Sequence, residues 1–166
     1  MKVESIEILW VDDDSQTAAS KLGQYASEEV PGCIDRLGRP EYSEHELRYW
    51  HPANFEPAHP ETVEQDYQRH EALCRGEWSY QGCVARAVVS YQIEGGDRRI
   101  DYLSSGGFYG VDSDSAMGFL LDIEVSQLLD LKAHLTVFGV PWTLSEENIL
   151  QATIAKMTAT KNEALT

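Results

Sequence analysis

Cys83-Val84-Ala85-Arg86-Ala87-Val88-Val89-Ser90-Tyr91-Gln92-Ile93 is the longest strand-like run of this chain, rich in β-branched residues. Cys83, Ala85, Ala87, Val89, Tyr91 and Ile93 recur at period two, which predicts a strand with one buried face. Gly95-Gly96-Asp97 follows as a hairpin turn signal. Arg98–Ser104 then predicts the returning partner, with Ile100, Tyr102 and Ser104 alternating against Arg99, Asp101 and Leu103. A central hairpin makes the sheet antiparallel, and the segments on either side of it decide the fold class.

Upstream, Ser5–Val11 predicts a strand with Ile6, Ile8 and Trp10 on one face, ending in Asp12-Asp13-Asp14. Residues 12–60 read as irregular. Ser20–Tyr25 suits a short helix or turn, and Glu46–Trp50 a short strand, while Pro31-Gly32, Gly38, Pro40, Pro52 and Pro57 punctuate the rest. Glu61–Arg75 predicts a helix, with Pro60 suited to its first turn and Gly76 as its stop. Val63, Tyr67, His70 and Cys74 give that helix one apolar stripe.

Downstream, Gly106-Gly107 reads as the end of the sheet, and Asp112-Ser113-Asp114-Ser115 as the cap of a helix running to Phe138. Its buried stripe is Leu121, Val125, Leu128, Leu131, Leu135 and Phe138, with Asp122, Glu124 and Asp130 off it. Gly139 and Pro141 end it, and Leu144–Asn148 starts a last helix whose tail, 159–166, frays. The order of elements predicts an α+β fold, with an antiparallel β-sheet around the central hairpin and helices packed on one face. At 166 residues the chain reads as a single domain, 1–166.

The charge is the second strong signal. The chain carries a net −15, and it is unevenly placed: residues 1–66 hold fifteen acids against five bases, and residues 100–150 hold eight acids against Lys132 alone. Residues 67–99 are near neutral. With 42% hydrophobic residues, four Trp and eight Tyr, this is a globular composition and not an acidic disordered one. Such a chain is repelled by nucleic acid and anionic membrane and attracted to a basic partner. No apolar run reaches the twenty or so residues that span a bilayer, and Met1–Ser5 enters the first strand without a signal-peptide pattern. Cys33, Cys74 and Cys83 form no disulfide or zinc spacing and read as reduced thiols, as in a cytoplasm.

Motifs for chemistry are weak. Ile8–Asp14 looks like the first strand of a response-regulator receiver domain, whose terminal acids bind magnesium. The likeness fails, because Tyr49–Phe55, where a second strand would present a phosphoacceptor Asp, carries no acid. Asp12–Asp14 alone reads as a solvated strand end, since three adjacent acids do not converge on one ion unaided. His45, His51 and His59 lack metal-ligand spacing and read as solvated loop residues. Ser104–Gly110 lacks the Walker lysine and the dinucleotide glycine spacing. No Gly-x-Ser-x-Gly elbow exists, and no cysteine has an identifiable histidine partner. The sequence therefore reads as non-enzymatic, without cofactor or metal. Arg86, Arg98 and Arg99 are the one basic cluster, available to acids of this chain, of a second copy or of a partner.

Two stretches carry a resemblance. They are Glu64–Trp78 and Leu103–Ser115, the second followed by Leu128–Leu135 and Phe138-Gly139-Val140. Together they resemble small acidic proteins of bacteriophages, prophages and plasmids, over roughly residues 8–140. The resemblance carries no catalytic residue. It implies a cytoplasmic protein of a bacterial host, in a setting where small acidic proteins resemble anti-CRISPR and anti-restriction inhibitors. Nucleases and surveillance complexes draw affinity from phosphate neutralisation in basic grooves, so fixed carboxylates can occupy the same groove. On this reading the partner is a basic nucleic-acid-binding groove of a CRISPR or restriction complex, with neither nucleic acid nor membrane bound directly. The contact candidates are Asp12, Asp13, Asp14, Asp112, Asp114, Asp122, Glu124 and Asp130. The alternatives are an acidic accessory protein without a defence target, as a homodimer through the hairpin edge, and a metal-dependent hydrolase using Asp12–Asp14 with the loop histidines.

Overall fold

The computed structural model describes residues 1–13, 21–54 and 60–163. In chain order the elements are β1 (Lys2–Asp12), β2 (Gly23–Ala26), β3 (Ile34–Asp35), β4 (Tyr49–Pro52), α1 (Pro60–Cys74), β5 (Tyr80–Gln92), β6 (Arg98–Ser104), β7 (Phe108–Asp112), α2 (Met117–Val137) and α3 (Leu144–Glu163). This is an α+β fold with antiparallel sheets and helices packed on a sheet. The chain divides into two compact units, Met1–Asp12 with Tyr80–Thr166, and Asp13–Ser79. Among the described residues no helix is long and apolar enough to cross a membrane.

The first unit is built on β5. Its period-two pattern buries Cys83, Ala85, Ala87 and Val89 on one face. β1 pairs along one edge of it, from Lys2 opposite Ser90 to Asp12 opposite Gln81. β6 and β7 share the other edge, β6 opposite Arg86–Gln92 and β7 opposite Tyr80–Cys83. The apolar stripe of α2 lies over this sheet, where Leu128, Leu131 and Leu135 pack with Ala85, Ala87 and Val89. Each such leucine stabilises the fold by roughly 1.5–3 kcal/mol through burial. Val140 and Leu150 complete the cluster. Where β6 stops and β7 has not begun, the Ala85 N–H donates to Ser105 Oγ, which donates to the buried Gln127 Oε1. A polar residue on the helix face is thereby satisfied, as buried polar groups must be.

Capping is legible in the bonds. Gly139, at φ 68°, ends α2: its N–H bonds Thr136 O, and the Val140 N–H bonds Leu135 O. That is the Schellman pattern, with Val140 and Leu135 as its apolar pair. α3 opens on a capping box, in which Glu146 Oε2 accepts from the Thr143 N–H and hydroxyl. Three expectations are corrected here. Gly106-Gly107 does not end the sheet, because Gly107 (φ 79°) and Gly110 (φ 76°) let the chain turn back onto β5 as β7. Asp112 therefore ends a strand, α2 begins at Met117, and its N-cap is Ala116, without a side-chain cap bond. Phe138, expected on the buried stripe, follows the last helical residue and is 58% exposed.

The second unit corrects the irregular reading of 12–60. β2, β4 and β3 form a three-stranded antiparallel sheet in that order. The strand Gly23–Ala26 replaces the expected short helix or turn. Gly23 is required there, since a Cβ would overlap the Trp50 indole and the His51 carbonyl oxygen. Ile34, fully buried Trp50, and Val63 and Tyr67 of α1 form one core. α1 ends at Gly76 (φ 71°) in a second Schellman pattern, Gly76 N–H to Leu73 O and Glu77 N–H to Ala72 O.

Candidate functional site

The topology of the first unit places five of the acids at one end of its sheet. Asp12 ends β1 opposite Gln81, and Asp112 ends β7 opposite Tyr80, on the other edge of β5. Two strand spacings separate them, on the order of 10 Å. Leu120 and Ile123 of α2 pack on Cys83 and Val111, so the first turns of α2 lie over this same end of the sheet. That places Asp122 and Glu124 there, with Asp114 in the link from β7 to α2. Glu124 also serves the fold, accepting the Trp10 indole N–H at 2.9 Å.

The remaining acids lie elsewhere. Asp130 Oδ2 accepts the Gly106 N–H at 2.6 Å and so pins the link from β6 to β7. Asp13 belongs to the second unit, and Asp14 lies outside the described residues. The basic cluster is met within the chain at two of its three members: Arg86 pairs with Glu7, and Arg98 with Glu4, each at 2.7 Å.

A cavity of about 530 Å³ opens in the second unit. β2 supplies Tyr25, the segment after β3 supplies Arg36, Glu41, His45, Glu46 and Leu47, and α1 supplies Glu71 and Cys74. Arg36 is the buried cation of the lining. Its Nε donates to the Tyr67 hydroxyl (3.3 Å), Nη1 to Leu47 O (2.9 Å) and Nη2 to Glu46 Oε2 (3.0 Å), with Glu71 Oε1 at 3.4 Å. The guanidinium also lies 4.3 Å from the centre of the Tyr25 ring. A buried guanidinium is tolerable only with such a shell. Tyr67 passes a hydrogen bond on to Glu41 Oε1 (2.9 Å), and Tyr25 donates to Glu71 Oε1 (2.8 Å). Burial raises both phenols well above the ordinary tyrosine value, so both stay donors.

One turn of α1 corrects the reading that no cysteine has a histidine partner. His70 and Cys74, spaced i, i+4, bring Nδ1 and Sγ to 3.8 Å. Burial lowers the His70 pKa and favours the neutral imidazole. A reactive thiol, however, needs electropositive surroundings. Cys74 faces the Tyr25 hydroxyl at 3.5 Å, in a cavity lined by three glutamates. Among the described residues no group of three or more His, Cys, Asp or Glu is placed to hold a metal ion. His45 lies at the cavity, His51 Nε2 meets Glu28 O at 2.7 Å, and His59 lies outside the described residues. Sequence reading misses Arg36 and Glu71, since nothing local marks them; a Glu beside the α1 stripe is the only hint.

Comparison with protein-family models, with curated proteins and with solved structures finds no match to the chain.

Proposed function

We propose that this protein is a non-enzymatic inhibitor from a phage or other mobile element that docks on the basic nucleic-acid groove of a host defence complex of CRISPR or restriction type. The observation that supports this reading is the placement of Asp12, Asp112, Asp114, Asp122 and Glu124 at one end of the first unit's sheet, Asp12 and Asp112 on opposite faces of it, on a chain of net charge −15. Acids held by two strand ends and a helix are preorganised, so they meet a cationic groove without the ordering cost of a flexible acidic tail. The groove, evolved to neutralise phosphates, supplies the complementary charge.

The test is binding of the purified protein to CRISPR effector complexes and restriction enzymes across a salt series. Affinity should fall roughly tenfold to a hundredfold between 50 and 200 mM salt. It should fall again when Asp12, Asp112, Asp114 and Asp122 are together changed to Asn. Salt-insensitive binding, or binding indifferent to the four changes, overturns the mimicry. A host expressing the protein that gains no protection for targeted phage removes the defence target.

A further inference from the structure

We propose that the cavity of the second unit is a binding site for an organic cation, a guanidinium or primary ammonium group carried on a short carbon chain. The proposal stands apart from the reading above, because every lining residue lies within Asp13–Ser79.

The charge and the bonding select this class. Three carboxylates, Glu41, Glu46 and Glu71, line the cavity against the one guanidinium of Arg36. Arg36 has Nε, Nη1 and Nη2 all committed to Tyr67, Leu47 and Glu46, so it is poorly placed to meet an anion. The carboxylates are in the opposite condition. Glu71 is only 6% exposed in its side chain, yet its hydrogen bond from Tyr25 and its ion pair with Arg36 both fall on Oε1. Glu71 itself lines the site, and no described residue donates a hydrogen bond to its Oε2. Among the described residues Glu46 is bonded through Oε2 alone and Glu41 through Oε1 alone, which leaves each with a second acceptor. Carboxylate oxygens that keep acceptor capacity at a cavity wall offer charge-assisted partners to a cation with several N–H groups.

Other ligand classes fit less well. A bare metal ion needs ligands closing on one point, which the described residues do not provide. An apolar ligand would strip water from three carboxylates and give nothing in return. The Tyr25 ring and Leu47 supply the apolar wall along which a carbon chain can lie, and about 530 Å³ is within the usual size of small-ligand sites. The same head group occurs on free amines and on the arginine and lysine side chains of proteins, so the test separates these sources.

The experiment is titration of the folded chain, by calorimetry and amide NMR, with agmatine, with capped Gly-Arg-Gly and with the uncharged N-butylurea. Saturable one-to-one binding of agmatine or of the peptide is expected, without binding of the urea. Agmatine alone marks a free small molecule, and the peptide alone marks a protein side chain. Glu71→Gln should weaken binding at least tenfold, and Glu46→Gln and Glu41→Gln, near the mouth, should each weaken it severalfold. Should Glu71→Gln not fold, the latter two carry the test. Changing the four aspartates of the first unit to Asn should leave agmatine binding unaltered. No saturable binding of either cation, equal binding of the urea, or full affinity in both mouth variants overturns the proposal.

Discussion

Arg36 and Glu71 face each other at 3.4 Å with side chains only 3% and 6% exposed. Removing Arg36 strands the Glu71 charge in a low-dielectric site, whereas Arg36 keeps Glu46 as a partner when Glu71 is removed. We expect Arg36→Ala to destabilise the protein by about 3–5 kcal/mol, the usual cost of breaking a buried pair. Arg39 and Glu64 make a two-point pair at 2.8 Å but are 28% and 47% exposed, and Arg39→Ala should cost at most about 1 kcal/mol. Urea unfolding of the two variants checks the contrast, and equal effects would refute it.

Gly82 and Tyr109 are matched across β5 and β7. A Cβ at Gly82 would overlap the Tyr109 ring. Gly82→Ala should cost about 1–3 kcal/mol through overpacking. Tyr109→Ala should absorb most of that cost, so the double variant is less destabilised than the two single effects added together. A double-mutant cycle in thermal unfolding reads this directly, and strict additivity would contradict it.

The three cysteines should differ in reactivity. Cys83 is buried against Val111 and Ile123, and burial pushes its thiol up to about 12. Cys74 is exposed. Alkylation of the native protein at pH 8 should label Cys74 first, half-buried Cys33 more slowly, and Cys83 only after denaturation. Peptide mapping of the labelled sites checks the order, and early labelling of Cys83 would contradict it.

Glu147 ties α3 to α2. It accepts from Lys132 and from the Trp142 indole, each at 2.9 Å, and from Gln151. These bonds, Lys132 first, hold its carboxyl down to about 2. A carboxyl depressed in the folded state stabilises above its ordinary value and loses that contribution as pH falls through the folded value. The contribution of Glu147 should therefore fade between its ordinary 4.5 and about 2. NMR titration of the side chain should give a midpoint near 2, and Lys132→Met should move it upward. An unchanged midpoint would separate Glu147 from Lys132.

What the sequence makes legible is what neighbours in sequence decide. The hairpin and the α2 stripe rest on periodicities of two and of three to four, and the bonds reproduce both. β7 is hidden because two glycines look like an ending when read locally, while their positive φ values serve a return to β5. β2, β3 and β4 are two to four residues long, too short for a period, and exist through pairing with one another. The acids at the sheet end are visible individually, but only the shared partner β5 puts Asp12 and Asp112 at the same end of one sheet. The cavity is least legible. Tyr25 and Glu71 lie 46 residues apart, and their union depends on the three-stranded sheet that periodicity does not reveal.

Asp12 and Gln81 are register partners on adjacent strands, yet all of Asp13–Ser79 runs between them. The inner segment is thus a guest spliced into a host hairpin, leaving and rejoining it at neighbouring points. During synthesis β1 waits without its partner until β5 has emerged, whereas the guest's strands and α1 are by then complete. Folding along the nascent chain accordingly proceeds from guest to host. For evolution, a splice at adjacent strand ends means that the guest can be exchanged, shortened or lost while β1 and β5 keep their register.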